Sequence, residues 1–243
     1  MEIFKDKNNL LESINQVSFK LEKEIQQIVE KNTENLFNLQ FIASELSVGN
    51  YRIDSLCFDV ENNSFVIVEY KKGSSYSVID QGYTYLQLLL NNKADFLLTY
   101  SDFINKVTKP ADIDWSQSKI IFISQSFNSY QKDSVNFKGL PFELWEIAKY
   151  ENNLYSLNQH ETSSVETISS ITSNENEKIK SVSKEIIQYD ETHHTKKYKK
   201  DLVKNWDSFK SLMTQEDNVN MKITKNYISF TLGNSKKTIA YFN

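Results

Sequence analysis

The stretch RIDSLCFDVENNSFVIVEYK, residues 52–71, decides how the chain reads. Two β-rich runs, Arg52 to Val60 and Phe65 to Lys71, flank Glu61-Asn62-Asn63-Ser64, and paired asparagines suit the positive φ angles of a tight hairpin turn. A two-residue Asn62-Asn63 loop makes the numbers of paired residues sum to 125, which sets Asp54 opposite Lys71 and Leu56 opposite Glu69. Side chains alternate with a period of two, so Asp54, Glu69 and Lys71 leave the sheet on one face. The rest of that face is apolar: Leu56, Phe58, Val60, Phe65 and Ile67. Three charges at the end of an apolar stripe either form an exposed ion pair at the rim or gather around an ion.

Working outward, Leu10 to Leu36 reads as a helix with Leu21, Ile25, Ile28 and Val29 on one face, followed by a short strand at Phe41-Ile42-Ala43. After the hairpin, Val78 to Leu90 is helical by its Ile79, Leu86 and Leu90 face, and Phe96 to Tyr100 and Lys119 to Gln125 read as strands. Phe142 to Tyr150 pairs with Leu154 to Leu157 across Glu151-Asn152-Asn153. Residues 1–157 therefore form an α/β domain, a mixed β-sheet flanked by helices. Residues 158–195, rich in Ser, Thr, Asn and Glu, read as a polar flexible linker with a short helix near Lys184 to Tyr189. Residues 196–243 hold a helix from Tyr198 to Met213 and strands at Tyr227 to Leu232 and Thr238 to Phe242, turned at Gly233-Asn234. This small basic α+β piece has a thin core and needs docking, a partner or more chain.

Composition removes several function classes. The 243 residues are 39% hydrophobic and 13% aromatic with 5 Gly and 2 Pro, values of a folded chain rather than a collagen-like or Gly/Pro-rich disordered one. The single cysteine, Cys57, excludes an internal disulfide framework and favours a reducing cytoplasm, and the thiol reads as part of the core. Apolar runs such as Leu88 to Leu90 fall far short of a membrane span, so no membrane partner is expected. The net charge of -4 is uneven: 15 basic against 21 acidic residues up to Leu157, 3 against 7 to Thr195, and 10 against 4 beyond. Nucleic acid would thus be held by local basic patches, above all in the C-terminal piece, tethered by the linker.

Two carboxylates supply hard oxygen ligands for Mg²⁺, and a neighbouring lysine orients or deprotonates a water and offsets phosphate charge. That trio suits hydrolysis of phosphodiesters. No P-loop or G-x-G-x-x-G occurs, so a nucleotide-driven motor is not supported. His193 and His194 are adjacent and diverge on a helix, which makes them a solvated pair rather than joint ligands, and Trp115 and Trp145 read as core or interface aromatics.

Arg52-Ile53-Asp54, Val66-Ile67-Val68-Glu69-Tyr70-Lys71 and Gln81-Gly82-Tyr83-Thr84-Tyr85 together resemble the PD-(D/E)xK nuclease superfamily, in its RecB-like branch with the Q-x-x-x-Y signature. Within that branch they are similar to the nuclease domain of NucS/EndoMS-type endonucleases, over roughly Leu21 to Leu157. The resemblance implies a restriction-endonuclease-like fold and a Mg²⁺- or Mn²⁺-dependent DNA endonuclease, in repair or in defence against foreign DNA. It implies Asp54, Glu69 and the Tyr70 backbone carbonyl as metal ligands, Lys71 as the catalytic lysine, Gln81 as an organiser of the site and Tyr85 as a contact to the site or DNA. It also places a glutamate of the first helix in the site, for which Glu22, Glu24 and Glu30 compete, with spacing favouring Glu22.

Ile53 stands where the superfamily has its proline, a change without chemical cost because the carboxylate does the binding. Only Met1 to Lys20 precede the resemblance, so the family's N-terminal DNA-binding and dimerising domain is not expected, and mismatch or flap specificity does not carry over. A homodimer is a mild expectation of the resemblance. Lys72, Lys222, Lys225, Lys236 and Lys237 are the candidate DNA contacts, and the C-terminal piece, similar to a small domain found behind such nucleases, is an alternative seat for a protein partner. The competing reading is a nucleic-acid-binding or protein-interaction module on a nuclease-derived fold, without turnover.

Overall fold

A computed structural model of the chain describes residues 2–71, 77–136, 139–160, 177–187, 189–216, 218–232 and 238–242. A ribbon of β1 (Ile3–Lys7) and β2 (Leu10–Ile14) comes first, then β3 (Gln16–Val17), α1 (Glu22–Glu30) and α2 (Thr33–Phe37). β4 (Gln40–Val48), β5 (Tyr51–Asp59) and β6 (Ser64–Lys71) form a meander, followed by α3 (Val78–Asn91) and α4 (Lys93–Ile104). β7 (Lys119–Ser124), α5 (Ser129–Ser134), β8 (Phe142–Tyr150) and β9 (Leu154–Gln159) complete the larger unit. α6 (Glu177–Glu185), α7 (Glu191–Thr195), α8 (Lys200–Gln215), β10 (Val219–Ile223), β11 (Ile228–Leu232) and β12 (Thr238–Phe242) follow.

The main sheet runs β3-β8-β7-β6-β5-β4, with β9 also on β8. β4, β5 and β6 pair antiparallel, whereas β6, β7 and β8 pair parallel. The sheet is therefore mixed and flanked by helices, and the last three strands form a separate antiparallel sheet. Alternation along β5 and β6 feeds two cores. Leu56, Phe58, Phe65 and Ile67 pack with Leu86 and Leu89 of α3 and Phe96 of α4, while Cys57, Val66, Val68 and Tyr70 pack with Ile25 and Val29 of α1. A strand apolar on both faces is the mark of a central strand covered on both sides.

Several features differ from the sequence expectation. The β5–β6 pairs, such as Asp59↔Ser64 and Leu56↔Ile67, sum to 123 rather than 125. Asp59 causes the slip: its Oδ1 accepts from the Glu61 and Asn62 amides at 3.0 and 3.1 Å, organising a longer loop from Val60 to Asn63. A slip of two residues keeps every side chain on its face, so Asp54, Glu69 and Lys71 still share one. The stretch Leu10 to Leu36, expected as one helix, holds the second strand of a hairpin, the short β3 and then two helices. Asn8 and Asn9 both have positive φ and turn β1 into β2, the hairpin signal that the helical periodicity obscured.

The strand expected at Phe96 to Tyr100 is the middle of α4. Phe96 and Tyr100, one helical turn apart, both contact Phe65, and Tyr100 stacks on Phe58 at 4.1 Å. Packing of that single face outweighs the strand propensity of the run. Finally, the described part of the segment read as a linker is structured, since α6 and α7 lie within it and β9 runs two residues past Leu157. Val182 and Ile186 enter the same core as α3. The Gly233-Asn234 turn lies outside the described residues.

The C-terminal elements pack around Trp206, Ile228 and Phe230. His194 is buried with Nε2 at 2.7 Å from the Thr224 carbonyl, and His193 Nε2 is 3.2 Å from the Lys225 carbonyl. The two histidines, expected to be solvated, instead tie α7 to the β10–β11 turn. This unit also docks on the larger one. Lys222 pairs with Glu61 and Asp59, Lys225 with Asp114 at 3.1 Å, and the Tyr227 hydroxyl donates to Glu61 at 2.7 Å. The Ile187 amide donates to the Ser116 carbonyl, and Gln117 Nε2 donates to the Ile187 carbonyl. These contacts join the two units, and residues 161–176 of the segment expected to be a flexible tether lie outside the described residues. Among the described residues no helix is long and apolar enough to cross a membrane.

Candidate active site

Continuing the observed register one step beyond Ser55↔Val68 sets Asp54 across from Glu69. The Tyr70 amide there donates to Asp54 Oδ2 at 3.0 Å, so the end of the ladder holds the carboxylate by main chain. Lys71 follows on β6, at the carboxyl end of the parallel strands, where open α/β sheets bind ligands.

Glu69 is 4% exposed and uses its two oxygens unequally. Oε1 accepts from Lys71 Nζ at 3.1 Å, Gln81 Nε2 at 3.0 Å and the Tyr85 hydroxyl at 3.2 Å. Oε2 is buried with no hydrogen-bond partner among the described residues. The second half of the cluster comes from α3, whose Ser77 cap accepts from the Asp80 amide at 3.3 Å. Gln81 and Tyr85 lie one turn apart on that helix, and Gln81 Nε2 also donates to the Tyr85 hydroxyl at 3.1 Å. α3 can lie this close because Gly82 faces Phe142 of β8, where a Cβ would come within 2.6 Å of the ring.

Burial pushes both carboxyl groups above their ordinary values. For Glu69, desolvation is joined by the nearby Asp54 charge and opposed by Lys71. For Asp54, desolvation outweighs the Tyr70 amide and Lys71, and the charge of Glu22 adds to the rise. A buried Glu69 with a bare oxygen and a half-buried Asp54 that repels it form a donor set suited to a hard divalent cation. A cleft of about 400 Å³ opens beside them, lined by Tyr51, Lys71, Ser77, Gln81, Thr84 and Tyr85 among others.

Asp54, Glu69, Lys71, Gln81 and Tyr85 are thus brought together. Tyr70 contributes its amide to Asp54, while its ring turns to the opposite face, where the hydroxyl meets Ser55 Oγ at 3.1 Å. Of the competing glutamates, Glu22 is exposed and reaches Asp54 only through its field. Glu24 accepts from the Lys20 amide at 3.4 Å. Glu30 Oε1 gathers Gln26 Nε2, Ser44 Oγ and Ser55 Oγ at 2.7–2.8 Å, and Gln26 also donates to the Asp54 carbonyl at 3.2 Å. Among the described residues no three His, Cys, Asp or Glu side chains gather closely enough to hold an ion, so Glu22 does not complete a cluster with Asp54 and Glu69.

The Glu30–Gln26–Ser55 support is absent from the sequence reading. Its one advance signal is the pair Gln26 and Glu30 at i,i+4 on the helix facing a strand that carries Ser55. Cys57 is buried, its thiol raised to about 12 by desolvation and by Glu30, as fits a core thiol. The expected DNA contacts Lys222 and Lys225 are engaged in the ion pairs that dock the two units. Lys72, Lys236 and Lys237 lie outside the described residues.

No protein-family model matches the chain. An uncharacterized protein of Haemophilus influenzae is 40% identical over 232 residues, covering 95% of this chain and 76% of that protein. The chain belongs to the same family. Among solved structures, EndoMS in apo form is 19% identical with a TM-score of 0.35, and the alignment covers 54% of this chain and 48% of that one. A repair endonuclease from Pyrococcus abyssi is 15% identical with a TM-score of 0.30, over 54% and 50% of the two chains. The EndoMS-dsDNA2 complex gives 16%, 0.30, 54% and 47%. This chain spans about half the length of these solved structures.

Proposed function

We propose that the chain is a Mg²⁺- or Mn²⁺-dependent DNA endonuclease that hydrolyses phosphodiester bonds by water attack. The observation that carries this reading is the bare, buried Oε2 of Glu69 beside Asp54. A carboxylate with three donors on one oxygen and none on the other is costly unless something completes it. Asp54 and Glu69 would hold the ion, with the Tyr70 backbone carbonyl as a further oxygen donor. When bound, the ion offsets the two carboxylate charges, polarises a phosphoryl oxygen and lowers the pKa of a water.

The protein residues divide the remaining work. Gln81 and Tyr85 lock the Glu69 carboxylate from α3, so its orientation is set before substrate arrives. Lys71 Nζ, held at 3.1 Å by Glu69 and lining the cleft, orients the attacking water and faces the phosphate charge. The Tyr70 amide fixes Asp54 against the repulsion of Glu69.

The test is cleavage of single-stranded, duplex and branched DNA with and without Mg²⁺ or Mn²⁺ by the purified chain, by Asp54→Ala and by Lys71→Ala. Divalent-dependent cleavage that falls by roughly 10²-fold or more in both variants is expected. Equal activity in all three proteins overturns the reading, and Mn²⁺ binding without any cleavage makes the chain a binding module.

A further inference from the structure

Not all lysines of the C-terminal unit serve the same end. Lys222, Lys225 and Lys210 each sit on a carboxylate: Glu61, Asp114 and Glu191. By contrast Lys196, Lys197, Lys199, Lys200 and Lys204 are exposed, and none of them takes part in an ion pair among the described residues. They surround the junction of α7 and α8. A cleft of about 450 Å³ opens there, lined by Lys196, Lys200 and Lys204 together with Thr192, Thr195 and Tyr198, and with Asp207 as its one acid.

Three lining lysines against the single lining acid Asp207 leave the cleft a net positive field. Lys200 and Lys204 stand one turn apart on α8 and project side by side. Among the lining hydroxyls Thr192 donates to Asp190 Oδ1 at 2.6 Å and Thr195 to the Glu191 carbonyl at 2.9 Å, so the lysine ammonium groups are the donors that phosphate oxygens would accept from. We propose that this lysine cleft between α7 and α8 binds the phosphate backbone of the DNA on which the nuclease site acts. The inference rests on the nuclease reading for its choice of DNA.

The cleft replaces Lys222 and Lys225 as the C-terminal unit's contact to substrate, because those two already hold the units together. It also explains how an acidic larger unit comes to hold a polyanion. The C-terminal unit docks at the Asp59–Asn63 end of the β5–β6 hairpin, and the carboxylate pair lies at the other end of β6, about 17 Å along the strand at ~3.3 Å per residue.

The experiment measures binding of a fluorescent duplex DNA to the full chain in chelator, where no cleavage occurs, as a function of salt. Wild type is compared with the triple variant Lys196→Gln, Lys200→Gln, Lys204→Gln and with Lys225→Gln. Each phosphate contact adds about one to the slope of log K against log salt, so the triple variant should lose about three from the slope and bind roughly tenfold or more weakly at low salt, irrespective of DNA sequence. Lys225→Gln should keep the wild-type slope, and an unchanged thermal midpoint shows that each variant is folded. If the triple variant keeps the wild-type slope while wild type cuts DNA, the cleft proposal falls and the nuclease reading stands. Groove-dependent DNA binding by a wild-type chain that cuts nothing upholds the cleft and removes the nuclease reading. Lysine-dependent retention on phosphatidylglycerol vesicles, with no effect of the triple variant on DNA, overturns the proposal in favour of a membrane surface.

Discussion

Glu69 and Asp54 are held ready at a cost to the metal-free fold. Both carboxyl groups are pushed up, chiefly by burial, so the native state favours their neutral forms. A carboxyl with a raised folded-state pKa contributes stability that is fully present below its unfolded value and is lost as pH rises through the folded value. At neutral pH the charged pair therefore weighs against folding. Asp54→Asn keeps an oxygen to accept from the Tyr70 amide and removes one charge. In chelator near neutral pH this variant should melt about 2–4 °C above wild type, the shift of ~1 kcal/mol in a chain of this size. The gap should narrow as pH falls toward the ordinary Asp value of 3.8. Added Mn²⁺ should raise the wild-type midpoint and leave the variant unmoved. Calorimetry across pH checks all three, and a variant less stable than wild type in chelator contradicts the account.

At the scale of elements, the site is a joint between β6 and α3. β6 is anchored on both sides within the sheet, and α3 reaches it because Gly82 leaves room for the Phe142 ring. α6 buttresses α3 from outside: Val182 is 1% exposed in the core they share. Gly82→Ala would place a Cβ inside contact distance of a ring that itself packs edge-on against Tyr83 at 5.0 Å. Overpacking of this kind costs about 1–3 kcal/mol. The expected result is a fall in thermal midpoint together with a larger proportional loss of divalent-dependent cleavage, because Gln81 and Tyr85 move with the helix. Full cleavage at an unchanged midpoint would show that the α3 position does not matter to Glu69.

For the whole molecule, the decisive contact is the meeting of the hairpin loop with the C-terminal sheet. Glu61 accepts from the Tyr227 hydroxyl and pairs with Lys222, and Asp59 stands 3.6 Å from Lys222. Burial alone would raise Asp59, yet Lys222, Asn62 and Lys119 outweigh it and hold the carboxyl below its ordinary value. Glu61→Lys removes the acceptor and sets like charges face to face. The C-terminal unit should then detach, read as a radius of gyration several Å larger by small-angle scattering, and rising salt should produce a smaller version of the same change in wild type. An unchanged radius in Glu61→Lys would place the docking energy in the Ile187–Ser116–Gln117 contacts instead.

The sequence by itself determined the central hairpin, the face shared by Asp54, Glu69 and Lys71, and the helix that brings Gln81 and Tyr85. These follow from periods of two and of one helical turn, which are local and survive even a two-residue slip in register. Tertiary structure decided the rest. Asp59 reset the hairpin loop through side-chain hydrogen bonds that no periodicity encodes. Phe96 and Tyr100 became helical because the Phe58 and Phe65 rings rewarded one face of the run. Glu30 and Gln26 found Ser55 and the Asp54 carbonyl across the sheet, and Val182 turned part of a polar segment into core. Which lysines enter ion pairs was likewise undecidable from the chain, because a lysine's charge is the same whether or not a distant carboxylate meets it. Only folding brings Glu61 and Asp114 to Lys222 and Lys225, while the lysines at the α7–α8 junction enter no ion pair among the described residues.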